Sequence, residues 1–267
     1  MQPSDLTFVL IAQNEEQVLD DALKSCEGLG SILVIDGGSE DSTVSLAEAR
    51  GAKVIVNPFR YASAQYNFGL DNVTTPWAFI LDADERLGDR LRQAIRDVEP
   101  GDDDSAYWTE RRNYFMGGPI KHSGWTPDSN VRLMRVSKAR YDDRPVHARV
   151  VVDSGKLGDL AGLIHHITYR TVHQYVRKLN NFTQLELASR KQVQRVLDGR
   201  SRLRRIYLSL PFKSGVRFFY MYVVKAGFLD GRRGFDLARL SAIYETVVSM
   251  KQRYEGQELP GADVHFD

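Results

Sequence analysis

Asp82 and Asp84 carry the strongest chemical signal in the chain. They close an apolar run, Trp77-Ala78-Phe79-Ile80-Leu81, and lead directly into Glu85. Side chains on an extended strand alternate between faces, so the two aspartates are expected side by side where the buried run surfaces. Like charges about 4 Å apart repel by roughly 4 kcal/mol at an effective dielectric of ~20. A hard divalent cation, Mg²⁺ or Mn²⁺, joining the carboxylates to a phosphate-bearing substrate offsets that repulsion. The pattern points to a metal-bridged nucleotide diphosphate, although an aspartate also stands at a strand end wherever a chain merely leaves its core.

Such a pair works only if other groups reach the same place. Runs rich in β-branched and aromatic residues, Thr7 to Ala12, Ser31 to Asp36, Lys53 to Val56 and Trp77 to Leu81, alternate with helical patterns over Glu16 to Glu27, Thr43 to Arg50 and Tyr61 to Leu70. Gly28 and Gly51 stand just past the first two patterns, where a helix stops. The alternation predicts successive βα units in a mostly parallel sheet, and ligands of such sheets bind beyond the carboxyl ends of the strands. Gln13-Asn14-Glu15-Glu16 follows the first strand, Asp36-Gly37-Gly38-Ser39 ends the second, and the Asp82 cluster ends the fourth. Three strand ends are therefore expected to aim acceptors at one crevice. The glycines let backbone approach a ligand, and Asp41 or Ser42 can cap the next helix; the same residue types also serve an ordinary βα turn.

From Tyr107 the pattern changes to short β segments with aromatic and basic residues, including Val131 to Val136 and Val146 to Val152, read as an antiparallel extension on the acceptor side. After Thr171, helical periodicity covers Val172 to Ala188, Leu203 to Leu210, Val216 to Leu229 and Leu237 to Met250. The expected class is α/β, with a nucleotide-sugar-binding catalytic domain over residues 1–170 and a helical region over 171–267. With 267 residues, 42% of them apolar and 27% charged, the chain can bury a full α/β core. A net charge of +1 gives no reason to expect a nucleic-acid partner. Cys26 is the single cysteine, so no intrachain disulfide forms, and Met1-Gln2-Pro3-Ser4-Asp5 lacks the basic and apolar regions of an export signal. Both features suit a cytoplasmic protein.

Asn14-Glu15-Glu16, Asp36-Gly37-Gly38-Ser39 with Asp41-Ser42-Thr43, Gly51-Ala52-Lys53-Val54 and Leu81-Asp82-Ala83-Asp84-Glu85-Arg86-Leu87, in this order and spacing, resemble family 2 glycosyltransferases of the GT-A fold. Arg111-Arg112-Asn113-Tyr114-Phe115-Met116-Gly117, Gly124-Trp125-Thr126-Pro127-Asp128, Val131-Arg132-Leu133, Val146-His147 and His166-Ile167-Thr168-Tyr169-Arg170 resemble the branch that includes lipopolysaccharide-core β-1,4-glucosyltransferases. The similarity spans most of residues 5 to 182. It implies inverting transfer of a hexose from a nucleotide diphosphate sugar, UDP-glucose first, to a glycan or lipid-linked saccharide of the bacterial envelope. It also implies nucleoside contacts from Asn14, Glu15, Asp36 and Ser39, with Asp36 on the base. Asp82 is implied at the ribose and metal, Ala83 beside the donor, and Asp84 on the metal. Gln65 and Asn67 match a donor-facing segment in which relatives often carry a basic residue.

Independently of the family, departure of a diphosphate builds negative charge that a cation on Asp84 would stabilise. Inversion needs a carboxylate across the sugar to take the acceptor's proton. Asp128 is the candidate base, following a rigid Trp125-Thr126-Pro127 turn whose indole suits a sugar wall. Trp125 and Arg132 are the acceptor-side candidates. Relatives commonly place Glu after the Val-His pair, whereas Ala148 follows Val146-His147 here. His147 is either a metal or diphosphate contact or a packed histidine on a β segment. His165 and His166 pose the same choice, with His166 the better match.

Residues 200–239 mix arginines with aromatics, reading either as a helix lying on the anionic inner face of the cytoplasmic membrane or as a basic face over an ordinary packing or oligomer contact. Phe218 to Val224 is far shorter than the ~20 residues of a spanning helix. Two other functions compete with glycosyl transfer. A sugar nucleotidyltransferase would carry a Gly-rich triphosphate loop where this chain has Asn14-Glu15-Glu16, and a non-catalytic nucleotide-sugar or glycan-binding relative would fit the Ala148 departure. A dehydrogenase is disfavoured, because no Gly-x-Gly-x-x-Gly follows the first strand.

Overall fold

Strands β1 (Leu6–Ala12) and β4 (Trp77–Asp82) are apolar on both faces. The reason is tertiary: a buried cluster lies on each side of the sheet, one containing Phe8, Leu10 and Phe79, the other Val9, Ile35 and Ile80. A computed structural model describes residues 1–144, 148–196 and 212–254. In it β2 (Ser31–Asp36) and β3 (Lys53–Val56) complete a parallel half-sheet in the order β3-β2-β1-β4. The connecting helices are α1 (Leu19–Cys26), α2 (Thr43–Ala49) and α3 (Ala62–Asp71). Helix α3 approaches β1 so closely that a Cβ on Gly69 would lie 2.4 Å from Val9 Cγ1, which is why glycine stands there. The chain runs outward from β1 to β2 and β3 and then returns to β4 on the other side. The order therefore reverses at β1/β4, which opens a crevice at the carboxyl ends of these strands.

The sheet continues beyond β4 through β8 (Ser129–Arg135), β6 (Asp104–Phe115), β11 (Lys156–Tyr169) and β5 (Glu85–Leu87), with β7 (Gly118–Pro119) paired to β6, while β9 (Ala139–Tyr141) and β10 (Val150–Val152) form a separate two-stranded sheet. Strand β8 is antiparallel to both β4 and β6, giving the expected antiparallel extension. The long β6/β11 pairing, however, is parallel. A hairpin-like reading of this region misses it because register between strands distant in sequence leaves no local trace. Helix α4 (Asp89–Asp97), absent from the sequence reading, buries Leu91 and Ile95. Helix α1 begins three residues later than the apolar pattern suggests, because Glu15 and Glu16 belong to the loop.

One further expectation changes. Asp82 is the last residue of β4, but Asp84 sits in the turn between β4 and β5, so strand alternation does not bring the two together.

Contacts divide the chain into two compact units, one of residues 1–121 and 125–170, the other of 122–124 and 171–267. In the second unit α5 (Val172–Val196), α6 (Lys213–Phe219) and α7 (Gly231–Tyr254) are described. Lys251 Nζ on α7 donates to Thr183 Oγ1 on α5 at 2.9 Å. The expected helix over Val216 to Leu229 is broken: α6 runs into a π-turn at Tyr220–Val224, and a 3₁₀ turn follows at Gly227–Asp230. The helix expected over Leu203 to Leu210 lies outside the described residues. Among the described residues, no helix is long and apolar enough to cross a membrane.

Candidate active site

Two loops at the carboxyl ends of β1 and β2 are tied into one shelf. Asp36, almost wholly buried, accepts hydrogen bonds at Oδ2 from the Gly38 and Ser39 amides (2.9 and 2.8 Å) and at Oδ1 from Ser39 Oγ (2.5 Å). Gly38 adopts φ +95°, the left-handed conformation that presents its amide inward. The Asn14 amide donates to Ser39 Oγ at 2.9 Å, while Asn14 Oδ1 accepts from the Glu40 amide at 2.8 Å. The Glu15 amide donates to Thr43 Oγ1 at 2.8 Å. Asn14, Glu15, Asp36 and Ser39 are therefore brought together; Asp36, expected on the base, is buried with both carboxylate oxygens engaged by its own loop, where it gathers the shelf's amides.

The acids after β4 separate into distinct roles. Glu85 is fully buried. Its Oε1 lies 2.6 Å from Arg132 Nη2 and 3.1 Å from Arg111 Nη1, and its Oε2 accepts from the Asp82 amide at 3.1 Å. Burial raises the Glu85 carboxyl above its ordinary range against the pull of the Arg132 charge. Arg132, only 5% exposed, also lies 3.5 Å from Asp82 Oδ2, and its own Nε is a buried N–H without a hydrogen-bond partner. Asp82 Oδ1 accepts from the buried Tyr66 hydroxyl, and burial followed by the Asp82 charge drives that phenol's pKa well up. Arg132 thus holds carboxylates inside the protein, and its expected place facing an acceptor is corrected accordingly.

Asp128, like Asp36, accepts three hydrogen bonds at its carboxylate. It accepts from Arg111 Nε at 2.8 Å, Asn113 Nδ2 at 2.9 Å and Asn130 Nδ2 at 2.9 Å. Partial burial works to raise its carboxyl, but the Asn113 hydrogen bond and the Arg111 charge outweigh burial and hold it below the usual carboxylate range. Asn113 also bonds His166 Nδ1 at 2.6 Å, and His166 Nε2 lies 3.4 Å from Asp84 Oδ1. A continuous line of polar contacts thus joins Asp128, Asn113, His166 and Asp84. His165, one residue earlier on β11, pairs instead with Tyr114 at 2.9 Å, and burial followed by the Arg112 charge lowers its pKa.

Other predicted residues have structural partners. Gln65, almost fully buried, bonds Asn57 twice, through Oε1 at 2.5 Å and Nε2 at 2.7 Å. Asn67 bonds the Tyr141 backbone through both its amide groups (2.9 and 3.0 Å). Both side chains, expected to face the donor, are engaged by neighbouring protein groups. Ala83 is buried in the β4–β5 turn. Trp125 is half-buried between Phe115 and Tyr169, with ring centroids 6.2 and 6.4 Å away. His147 lies outside the described residues. Sequence reasoning missed Glu85 and Arg111 as members of the site, and also the reach of His166. An arginine inside the apolar run Val131-Arg132-Leu133-Met134 was the available signal, since a buried guanidinium needs a buried anion.

The family model for glycosyl transferase family 2 matches residues 7–160, more than half of the chain. The chain belongs to glycosyl transferase family 2. It is 28% identical over 272 residues to LpsC of Rhizobium meliloti, a lipopolysaccharide core biosynthesis glycosyltransferase, across 97% of this chain and 96% of that protein. An uncharacterized glycosyltransferase of Rickettsia typhi, RT0209, is 28% identical over 189 residues, 66% of this chain and 64% of that one. Among solved structures, glucosyl-3-phosphoglycerate synthase from Mycobacterium tuberculosis in complex with Mn²⁺, UDP and phosphoglyceric acid aligns at 20% identity with a TM-score of 0.35, over 40% of this chain and 43% of that chain. Family membership sets aside sugar nucleotidyl transfer and hydride transfer.

For this glycosyltransferase the fit of a divalent cation is decided by the acids themselves. Among the described residues, no three His, Cys, Asp or Glu side chains converge into a ready-made cage. Mg²⁺ held through one or two carboxylates plus substrate phosphates needs none. Asp84, with Asp82 braced behind it by Tyr66 and Arg132, fits that reduced ligand set.

Proposed function

We propose that this glycosyltransferase moves a hexose, with inversion, from a nucleotide diphosphate sugar, UDP-glucose first, to a glycan or lipid-linked saccharide of the bacterial envelope. It would work at the inner face of the cytoplasmic membrane. The likeness to LpsC along nearly the whole chain supports the acceptor class. The observation that carries the reaction is the sorting of the three acids after β4: Glu85 is neutralised inside by two arginines, whereas Asp82 and Asp84 stay at the rim. The Asn14, Glu15 and Ser39 shelf holds the nucleoside, with Asp36 setting its shape. When bound on Asp84, Mg²⁺ or Mn²⁺ supplies positive charge to the diphosphate. As the bond from the anomeric carbon to the diphosphate breaks, the acceptor oxygen forms the new bond and passes its proton to Asp128. Arg111 and Asn113 keep that carboxylate oriented.

A thermal-shift panel of UDP-, GDP-, ADP- and CMP-sugars with and without Mn²⁺ tests this, since a ligand bound only by the folded state raises the melting temperature. One sugar nucleotide should raise it only with metal, and Asp84→Ala should abolish the metal-dependent part. A shift unchanged in Asp84→Ala removes the metal assignment. Binding without sugar transfer would leave a nucleotide-sugar binding protein.

A further inference from the structure

Among the described residues, the second unit presents an apolar ridge that its helices leave uncovered. Phe212, Val216, Phe219, Tyr220 and Val223 follow one another at intervals of four, three, one and three residues along α6 and the π-turn, the spacing of a single helical face, and all five are exposed, Phe212 to 78% and Phe219 to 57%. The core of the unit is served by another face of the same segment. Phe218 and Tyr222 pack on Phe235 of α7, with ring centroids 5.7 and 5.5 Å away, and Met221 is buried. The helix is thus apolar on two sides, and the described residues pack on only one of them. Val224, Phe228 and Leu229 prolong the exposed apolar surface into the 3₁₀ turn.

The charges in this segment are one-sided. Lys213, Arg217, Lys225, Arg232, Arg233 and Arg239 face only two carboxylates between residues 212 and 239. Of these, Asp230 is buried and accepts from the His122 amide at 3.0 Å and Ser123 Oγ at 3.1 Å, while Asp236 lies 3.7 Å from Arg232. Lys225 Nζ and the Arg239 guanidinium each lie 5.6 Å from an aromatic ring, Tyr220 and Phe235. An exposed apolar ridge with a cationic border complements a surface that is apolar inside and anionic at its face.

We propose that residues 212–239 form the docking surface of this protein for an anionic lipid bilayer, with Phe212, Phe219 and Val223 entering the acyl boundary and the cations meeting the headgroups. The surface lies in plane, and it stands independently of the donor chemistry.

Co-sedimentation of the full chain with phosphatidylglycerol/phosphatidylcholine vesicles, compared with phosphatidylcholine alone, tests the proposal. Binding should require the anionic lipid and fall steeply with salt. Phe219→Ser with Val223→Ser should reduce partitioning at least about ten-fold, and Lys213→Gln with Arg217→Gln about five-fold per cation. Neither pair should alter far-UV circular dichroism or the donor-induced melting shift. The charge variant tests the surface even if the serine variant fails to fold. Equal binding to neutral vesicles, or none to anionic ones, overturns the proposal. So does a concentration-dependent dimer, seen by sedimentation velocity and lost in Phe219→Ser/Val223→Ser, in a protein that ignores vesicles; the ridge would then be the seat of a second copy.

Discussion

Arg132→Met isolates the buried charge network on which the site is built. The substitution fills the same space but removes the cation 2.6 Å from Glu85, leaving Arg111 at 3.1 Å as the remaining guanidinium partner. Breaking one partner of a buried pair costs about 3–5 kcal/mol, because a charge is left in a low-dielectric interior. Since Arg111 remains, the lower end is expected, which for a domain of this size lowers the melting temperature by about 6–12 °C. The cost should also depend on pH. Burial already sets the Glu85 carboxyl above its ordinary range. A carboxyl raised on folding contributes stability that is fully present below its unfolded pKa, about 4.3, and is lost as pH rises through the folded value. Arg132 is the strongest influence holding that value down. Without it the window widens, and the gap between variant and parent should be larger near pH 8 than near pH 5. Differential scanning calorimetry at both pH values measures this. Glu85→Gln combined with Arg132→Met should recover part of the loss, because the fully buried carboxylate no longer stands without its cation, while the part-exposed Asp82 still lacks Arg132. A loss under about 1 kcal/mol in the single variant, or a double variant no more stable than the single, would refute the reasoning.

Asp128→Asn should lower kcat by at least about 100-fold while leaving donor-induced thermal shifts intact. In the parent protein the acid limb of kcat/KM should fall below the usual carboxylate range, because Asn113 and Arg111 hold Asp128 ionised; a limb near pH 6 would assign proton transfer elsewhere. Gly69→Ala drives a Cβ to within 2.4 Å of Val9 Cγ1 and should destabilise by about 1–3 kcal/mol in chemical denaturation, although alanine is the better helix former.

Local sequence made the parallel half-sheet legible because each strand there is a β-branched or aromatic run that gives way to polar residues, Gln13-Asn14 after β1, Asp36 at the end of β2, Asn57 after β3 and Asp82 at the end of β4, and each helix between them carries its own period. The strand ends likewise singled out Asn14, Asp36, Ser39, Asp82 and Asp84 as candidates, and the fold joins the first three in one shelf. Helix α4 was missed because Asp89 to Asp97 carries only two buried residues, Leu91 and Ile95, among charged ones. The parallel pairing of β6 and β11 was invisible because register between distant segments is set by what covers them. The protein partners of Gln65 and Asn67 were hidden for a related reason. An amide in a helix looks the same whether it meets a ligand or a neighbouring backbone, and here Asn57 and Tyr141 claim them.

Residue order alone determined the family of this protein, its βα framework and the acids available for chemistry, since these are properties of types and spacing along one chain. Tertiary structure decided which acid does what. Glu85, Asp82 and Asp84 differ little as sequence, yet one is sealed between two arginines, one is braced by a tyrosine, and one stands beside His166. Desolvation and the positions of neighbouring charges, which arise only when distant segments meet, make three similar carboxylates chemically different.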